Sequence, residues 1–469
     1  MSSYLHPDRL FSSDSSQRAI ARTIYQAIKD LPIVSPHGHT DPSWFANNQN
    51  FSNAAELLIV PDHYVFRMLY SQGIGLSTLG VGQGTLNLEQ SHQVWKVFAD
   101  NYYLFRGTPS RMWLDYVFAE VFNISQPLSG ATADTYFDTI NQQLATDAFK
   151  PRALFERFNI ETLATTEQPL DKLKHHKTIQ QSDWQGRVIT TFRPDNLTDP
   201  EHPKFRDSFK ALASAVDMEI SHFQDYLKAI KKRREYFVEH GATATDHSHP
   251  TAFTADLSSS QKESLFQKIR SFAFSPEDAE LFRGQMMTEM AAMSIEDGLT
   301  MQLHHGCFRN HNAPVYHEFG ADKGADLPVA IEFVKALQPL LSKYGNHPEL
   351  NIILFTLDET TYSREIAPLA GHYPAVKAGP SWWFHDSPEG MIRFKEQIIE
   401  TAGFYNTVGF NDDTRAFLSI PARHDVARRI DSRCLARLVA EHRMSEEEAV
   451  DVATDLTYHL VNKAYKFKP

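Results

Sequence analysis

From about residue 155 onward, short apolar runs alternate with amphipathic helices, and this alternation narrows the open folds more than any other feature. The β-type runs are 160–165 (IETLAT), 187–192 (RVITTF), 242–246 (ATATD), 299–304 (LTMQLH), 351–356 (NIILFT), 375–379 (AVKAG) and 405–410 (YNTVGF). A further run at 33–37 (IVSPH) makes eight. Helix signals fall between them: 205–240 stops at Gly241, Ser275-Pro276-Glu277-Asp278 opens a helix, and 328–344 stops at Gly345. Ser387-Pro388-Glu389 starts another that closes at Gly403, and Ser445-Glu446-Glu447-Glu448 is a capping box before the last helix. Near-continuous apolar strands joined by helices imply a parallel sheet with covered faces. Eight such units close into an α/β (β/α)8 TIM barrel, with its chemistry at the carboxyl ends of the strands. A doubly wound open sheet is the alternative, but neither G-x-G-x-x-G nor G-x-x-x-x-G-K-[ST] is present to support nucleotide binding.

Ahead of this repeat, residues 15–30 carry apolar groups at helical spacing, and 43–155 reads mostly as helices whose aromatics suit helix packing. No Gly/Ser- or Pro-rich linker separates 43–155 from the strand–helix repeat, so the chain reads as one domain with a helical insertion after strand one.

A barrel predicts reactive residue types just beyond each strand. They are there: His37 and His39; Thr165-Thr166-Glu167; Arg193-Pro194-Asp195; Asp246-His247-Ser248-His249; His304-His305 followed by Arg309; Asp358-Glu359; Trp382-Trp383-Phe384-His385; and Asn411-Asp412-Asp413-Thr414-Arg415. His37 and His39 can share one side of an extended backbone, and imidazole with carboxylate suits zinc, manganese or iron. A strand-eight carboxylate would complete the set, with Asp413 chosen over Asp412 although spacing alone separates them poorly. Two surface histidines in a turn remain the plain alternative. His247 and His249 repeat the spacing as a competing pair, and His304 is open as ligand, substrate contact or buried structural residue. Arg193, Arg309 and Arg415 could grip an acidic substrate through their forks, or serve structural ion pairs. Trp383, beside Trp382, could wall a sugar face or belong to the core. His63 and Tyr64 can both move protons, which spacing alone supports only weakly. No G-x-S-x-G and no reactive Cys context favours nucleophilic hydrolysis.

Composition excludes other partners. Lys and Arg number 46 against 58 Asp and Glu, a net charge of -12, which disfavours nucleic acid or an acidic membrane. The two cysteines, Cys307 and Cys434, imply no disulfide framework and fit a reducing cytoplasm. Met1-Ser2-Ser3-Tyr4 lacks the basic start of a signal peptide, and no apolar run approaches the roughly 20 residues of a membrane span.

Six segments, in order along nearly the whole chain, give the sequence a likeness: PHGHTDP (36–42), DHYVFRML (62–69), TTFRPD (190–195), MQLHHGCFRNHN (301–312), GPSWWFHDSPEGM (379–391) and NDDTRAFLSIPARHDVARR (411–429). The chain resembles the uronate (glucuronate) isomerases, divergent members of the amidohydrolase superfamily. The resemblance implies a distorted (β/α)8 barrel, one divalent metal ion with zinc first and manganese or iron as alternatives, and aldose–ketose interconversion of small hexuronates. It implies His37, His39 and Asp413 as metal ligands, and His63, Tyr64, Asp413 and Arg415 as the catalytic group. By the same resemblance Arg193 pairs with the C6 carboxylate, and His304 matches the strand-five histidine. Arg309 and Trp383 complete the expected substrate contacts. Two departures stand out. Strand six offers Asp358 where the superfamily's hydrolases have a His, which argues against a hydrolytic centre. Asn411-Asp412 replaces the expected Leu-Thr, placing an extra carboxylate beside the signature. Two rival readings remain, a metal-dependent hydrolase and a non-catalytic sugar-acid binder. The helical insertion offers apolar surface for a homo-oligomer.

Overall fold

The computed structural model describes residues 5–467. The tetrapeptide 1–4, where a signal sequence would begin, lies outside them. Nine strands form in chain order: β1 Ile33–Ser35, β2 Ile160–Glu167, β3 Arg187–Phe192, β4 Ala244–His247, β5 Thr300–His304, β6 Cys307–Phe308, β7 Leu327–Pro328, β8 Ile352–Phe355 and β9 Val376–Ala378. Seven of them make one curled parallel sheet in the order β1-β2-β3-β4-β5-β8-β9, while β6 and β7 pair as an antiparallel two-stranded sheet.

Seven of the eight expected strands are therefore present. The eighth, 405–410, is not a strand: Phe404–Asn406 is a tight helical turn and only Thr407 bridges, in parallel, to Ala378. The cause is local. Tyr405 is largely exposed, and Gly409 takes a φ of +76°, so the chain turns aside after Val408. Beyond it the backbone returns to the sheet's other end, where the His39 N–H donates to the Thr414 carbonyl at 3.0 Å. First strand and last segment are neighbours.

Alternation along the strands sorts side chains into two layers. Ala164, Ile189, Ala244 and Ile353 face inside the curl, whereas Leu163 and Val188, and Met301, Leu303, Ile352 and Leu354, face the surrounding helices. The C-terminal segment fills the curl from below. Val461, Ala464, Tyr465 and Phe467 pack on the inward residues, and the Ala464 carbonyl accepts from Thr300 and Asn351 at the strands' amino ends. Each fully buried aliphatic or aromatic residue of this kind contributes about 1.5–3 kcal/mol.

Residues 43–155 are helical as expected, including His63–Tyr70, Leu88–Asp100, Pro109–Tyr116 and Ala133–Leu144. Their aromatics are core: Trp95, Phe98, Tyr102, Phe105, Phe118 and Tyr136 are buried together. Two helix expectations need correction. The run 205–240 is two helices, Phe205–Val216 and Phe223–Glu239, because Asp217 ends the first in a left-handed conformation (φ 51°) and His222 caps the second. The run 328–344 is helical only over Gln338–Tyr344, since Leu327–Pro328 pairs with Cys307–Phe308 instead. Ser275 and Ser445 cap their helices with full capping boxes. Among the described residues no helix is long and apolar enough to cross a membrane.

Candidate active site

The carboxyl ends of the strands surround a cavity of about 360 Å³. His37, His39, His63, Tyr64, Arg193, His304, Arg309, Trp383, Asp413 and Arg415 all line it, whereas His247, His249, Asp358 and Asp412, also noted in the sequence, do not.

At its floor, Asp413 Oδ1 lies 3.2 Å from His39 Nε2 and 3.6 Å from His37 Nε2. His304 stacks on His37 with ring centres 5.0 Å apart, and one ligand atom each from His37, His304 and Asp413 falls within 4.8 Å of the others. Asp413 holds this position in a left-handed backbone conformation, φ 38°, that aspartate rarely takes and that active sites tolerate. Gly38 is needed beside it: a Cβ there would stand 3.3 Å from the Thr414 carbonyl. Burial lowers His37 to about 4 against the opposing charge of Asp413, so the imidazole is neutral. Burial would raise Asp413, but the surrounding imidazoles hold it far below the usual carboxylate range, so it is ionised. Asp413 Oδ1 and His304 Nε2 are buried and have no hydrogen-bond partner among the described residues. A neutral His37 imidazole, an ionised carboxylate and unsatisfied acceptor capacity suit a divalent cation.

Asp412 and Asp413 are thus separated by geometry. Asp412 turns away, 3.0 Å from His424 of the helix Ile420–Ala440, so it is not an extra carboxylate at the cluster. The other histidine pair lies elsewhere. His247 and His249 point outward, each with its Nε2 2.8 Å from a threonine hydroxyl (Thr245 and Thr198), and neither lines the cavity.

One wall is aromatic. His63 stacks on Tyr64 at 5.1 Å, and Trp383 stands edge-on to both, at 4.5 and 4.6 Å. Asp62 caps their helix by accepting from the Tyr64 N–H at 2.8 Å, which fixes where the pair begins. Behind the wall, fully buried Arg423 lies 4.7 Å from the Tyr64 ring and 3.6 Å from that of Trp113, and pairs with Asp386. Burial raises Asp386 to about 7 even so. Burial also raises Tyr64 well above the ordinary phenol value, partly offset by Arg423, so its hydroxyl is protonated.

The opposite wall is ionic. Arg193 Nε lies 3.1 Å from Asp195, and its Nη1 lies 3.5 Å from Asp246. Asp246 also meets His304 Nδ1 at 2.7 Å. Arg309 pairs with Asp326 at 2.9 Å and Arg415 with Asp322 at 3.3 Å. Asp246 and Asp322 were not foreseen as site residues. Alternation could have found Asp246, which sits on the opposite strand face from His247; Asp322 belongs to the excursion between β6 and β7, where no periodic signal exists.

A curled parallel sheet with a histidine–aspartate cluster at the carboxyl ends of its strands defines an α/β protein with a candidate metal centre. A sequence model described as glucuronate isomerase matches residues 5–465. The chain is 59% identical to the uronate isomerase of Xanthomonas axonopodis over 98% of either chain. It is 60% identical to that of Sphingopyxis alaskensis over 99% of each. Among solved structures, the glucuronate isomerase from Caulobacter crescentus superposes with a TM-score of 0.97 at 58% identity, covering 99% of this chain and 97% of that one. The chain belongs to the glucuronate isomerase family, and it is an isomerase.

Proposed function

We propose that this enzyme interconverts D-glucuronate with D-fructuronate and D-galacturonate with D-tagaturonate. The observation that carries the reading is the near-full-length likeness to uronate isomerases, 59% identity over 98% of the chain. His37, His39 and Asp413 are assigned as the metal ligands, with His304 beside them; zinc is the first choice and manganese or iron the alternatives. When bound, the ion supplies Lewis-acid stabilisation of charge developing on the substrate's C1 and C2 oxygens.

The remaining roles belong to the chain. Arg193 fixes the C6 carboxylate, and so decides which carbon meets the proton-transfer groups. Arg309 and Trp383 complete the walls against the sugar acid. Tyr64, a neutral phenol at rest, first passes its proton to the neutral imidazole of His63; as a phenolate it then takes the C2 proton and returns it to C1 as the enediol forms and collapses, with Arg415 beside the pair. Arg423, on the ring's far side, favours the charged form of Tyr64 during transfer. Asp413 also exchanges a proton with a substrate hydroxyl.

Around this site we read a distorted (β/α)8 barrel whose eighth strand is reduced to the Thr407 bridge, in a single domain with 43–155 inserted after strand one. Free Cys307 and Cys434 suit a reducing cytoplasm, and the apolar faces of the insertion suit a homo-oligomer. Asp358, at the strand-six position, is spent on its own loop, accepting from the Thr360 N–H at 3.0 Å, and does not line the cavity, which disfavours a hydrolase.

One assay tests the reading: incubation with glucuronate or galacturonate, with and without chelator, following ketose formation. Ketose should form, stop on chelation, and return with added divalent metal. No ketose with any of several added metals overturns it.

A further inference from the structure

The inward side chain of β5 below His304 is Gln302, wholly buried in the middle of the curl. Its amide joins two distant parts of the chain. Its Nε2 lies 3.3 Å from His37 Nδ1 and 3.4 Å from the Thr245 carbonyl, and its Oε1 accepts from the Tyr465 hydroxyl at 2.8 Å. Tyr465 is itself fully buried among Val34, Ala164, Ile189 and Phe467. The C-terminal segment that fills the curl thus reaches His37 through one glutamine.

We propose that Gln302 and Tyr465 are positioning residues that hold His37 in the ring orientation and tautomer needed to bind a metal ion. The proposal rests on the metal assignment above. His37 Nε2 is the nitrogen that faces Asp413, at 3.6 Å. For Nε2 to offer a lone pair, the single proton of the neutral ring must sit on Nδ1, and a buried N–H needs an acceptor. Gln302 stands in that place. Its amide has the same shape either way round, so a half-turn of its last bond presents Oε1 to the Nδ1–H and Nε2 to the Tyr465 oxygen. The contacts to His37 and Tyr465 remain hydrogen bonds, and only the long one from Nε2 to the Thr245 carbonyl, 3.4 Å, is given up. The Tyr465 ring, wedged by the inward apolar residues, limits how far the amide can move.

Partners of this kind change metal affinity by about 10–100-fold when removed. The experiment measures zinc and cobalt affinity of the whole protein by competition with a chromophoric chelator, together with the absorption spectrum of the cobalt form. Gln302→Met, similar in size but without an acceptor, should bind about 10–100-fold more weakly with an altered cobalt spectrum. Gln302→Glu keeps an acceptor at Nδ1 and should stay within about threefold of wild type. Tyr465→Phe loses only the hydroxyl; about three- to tenfold weaker binding is expected, and it carries the test if Gln302→Met does not fold. Wild-type affinity and spectrum in Gln302→Met, or equal losses in the Met and Glu variants, would overturn the proposal. With Gln302→Met unfolded, unchanged affinity in Tyr465→Phe would do the same. A wild-type protein that binds neither metal instead removes the metal assignment on which the proposal stands.

Discussion

Replacing Tyr64 with phenylalanine separates proton transfer from folding. The Tyr64 hydroxyl lies 3.4 Å from the Trp383 carbonyl, at the weak limit of a hydrogen bond, and is also within reach of the Arg423 guanidinium. The ring does the packing, against His63, Trp113, Trp383 and Arg423. Removing one oxygen should therefore cost folding less than about 1 kcal/mol. If the phenol carries the proton between C2 and C1, kcat should fall about 10²–10⁴-fold, as for loss of a general acid–base group. That is about 3–5 kcal/mol of barrier. KM should stay within about threefold, because the hydroxyl serves the transfer and the arginines serve binding. The assay pairs steady-state ketose formation with exchange of the C2 hydrogen in D2O, followed by NMR. Turnover and exchange both near wild type would show that another group moves the proton.

Four further outcomes are expected. Asp413→Asn should lose bound metal by more than the roughly 10–100-fold typical of outer partners, measured by equilibrium dialysis. Asp386→Ala leaves the fully buried Arg423 charge without its carboxylate and should cost about 3–5 kcal/mol in urea unfolding; a change under about 1 kcal/mol would contradict the pairing. Gly38→Ala presses a Cβ to 3.3 Å from the Thr414 carbonyl and should cost about 1–3 kcal/mol while weakening metal binding; an unchanged melting temperature would show that the closure has slack. Stability should fall as pH drops from about 6.5 to about 4: burial keeps His176 and His305 neutral down to about 4, His247 to about 3, and His63 well below its usual value, whereas unfolding lets all four protonate. Asp62, Asp115, Glu167 and Asp386, raised by burial, oppose this because their protons are held in the folded state, but His37, His202, His249 and His424 are also lowered by burial, so the histidines outnumber the acids. A urea midpoint that does not move between pH 7 and 4.5 would refute this balance.

The strand–helix alternation is strong enough to place seven parallel strands within two or three residues, because each strand is largely buried on both faces and reads as a short run rich in apolar and β-branched residues. It failed at 405–410, whose composition is β-like while Gly409 bends the backbone; a left-handed φ is set by what the chain must next reach. The same limit explains 328–344, where pairing of Leu327–Pro328 with Cys307–Phe308 overrode helical periodicity. At the site, residue types at strand ends were legible one by one, but their partners were not. Only geometry turns Asp412 toward His424 and Asp413 toward His37, since adjacent residues with the same side chain carry the same sequence signal. Gln302 and Tyr465 carried no signal at all. A buried glutamine looks like any other polar residue in a strand until its two contacts are known.

The C-terminal segment inside the curl also has a bearing on synthesis. His37 emerges from the ribosome long before Asp413 and the Tyr465 side chain beneath it. Until those later residues emerge, the inward face of the seven-stranded sheet lacks its filling and the cavity lacks its carboxylate. The growing chain thus passes through much of its synthesis with an open sheet and an unassembled centre, and closure waits on contacts far apart in sequence, with a correspondingly slow search. Nascent chains of this enzyme should depend on chaperone protection until the final turn of helix, Leu460–Ala464, is free to dock.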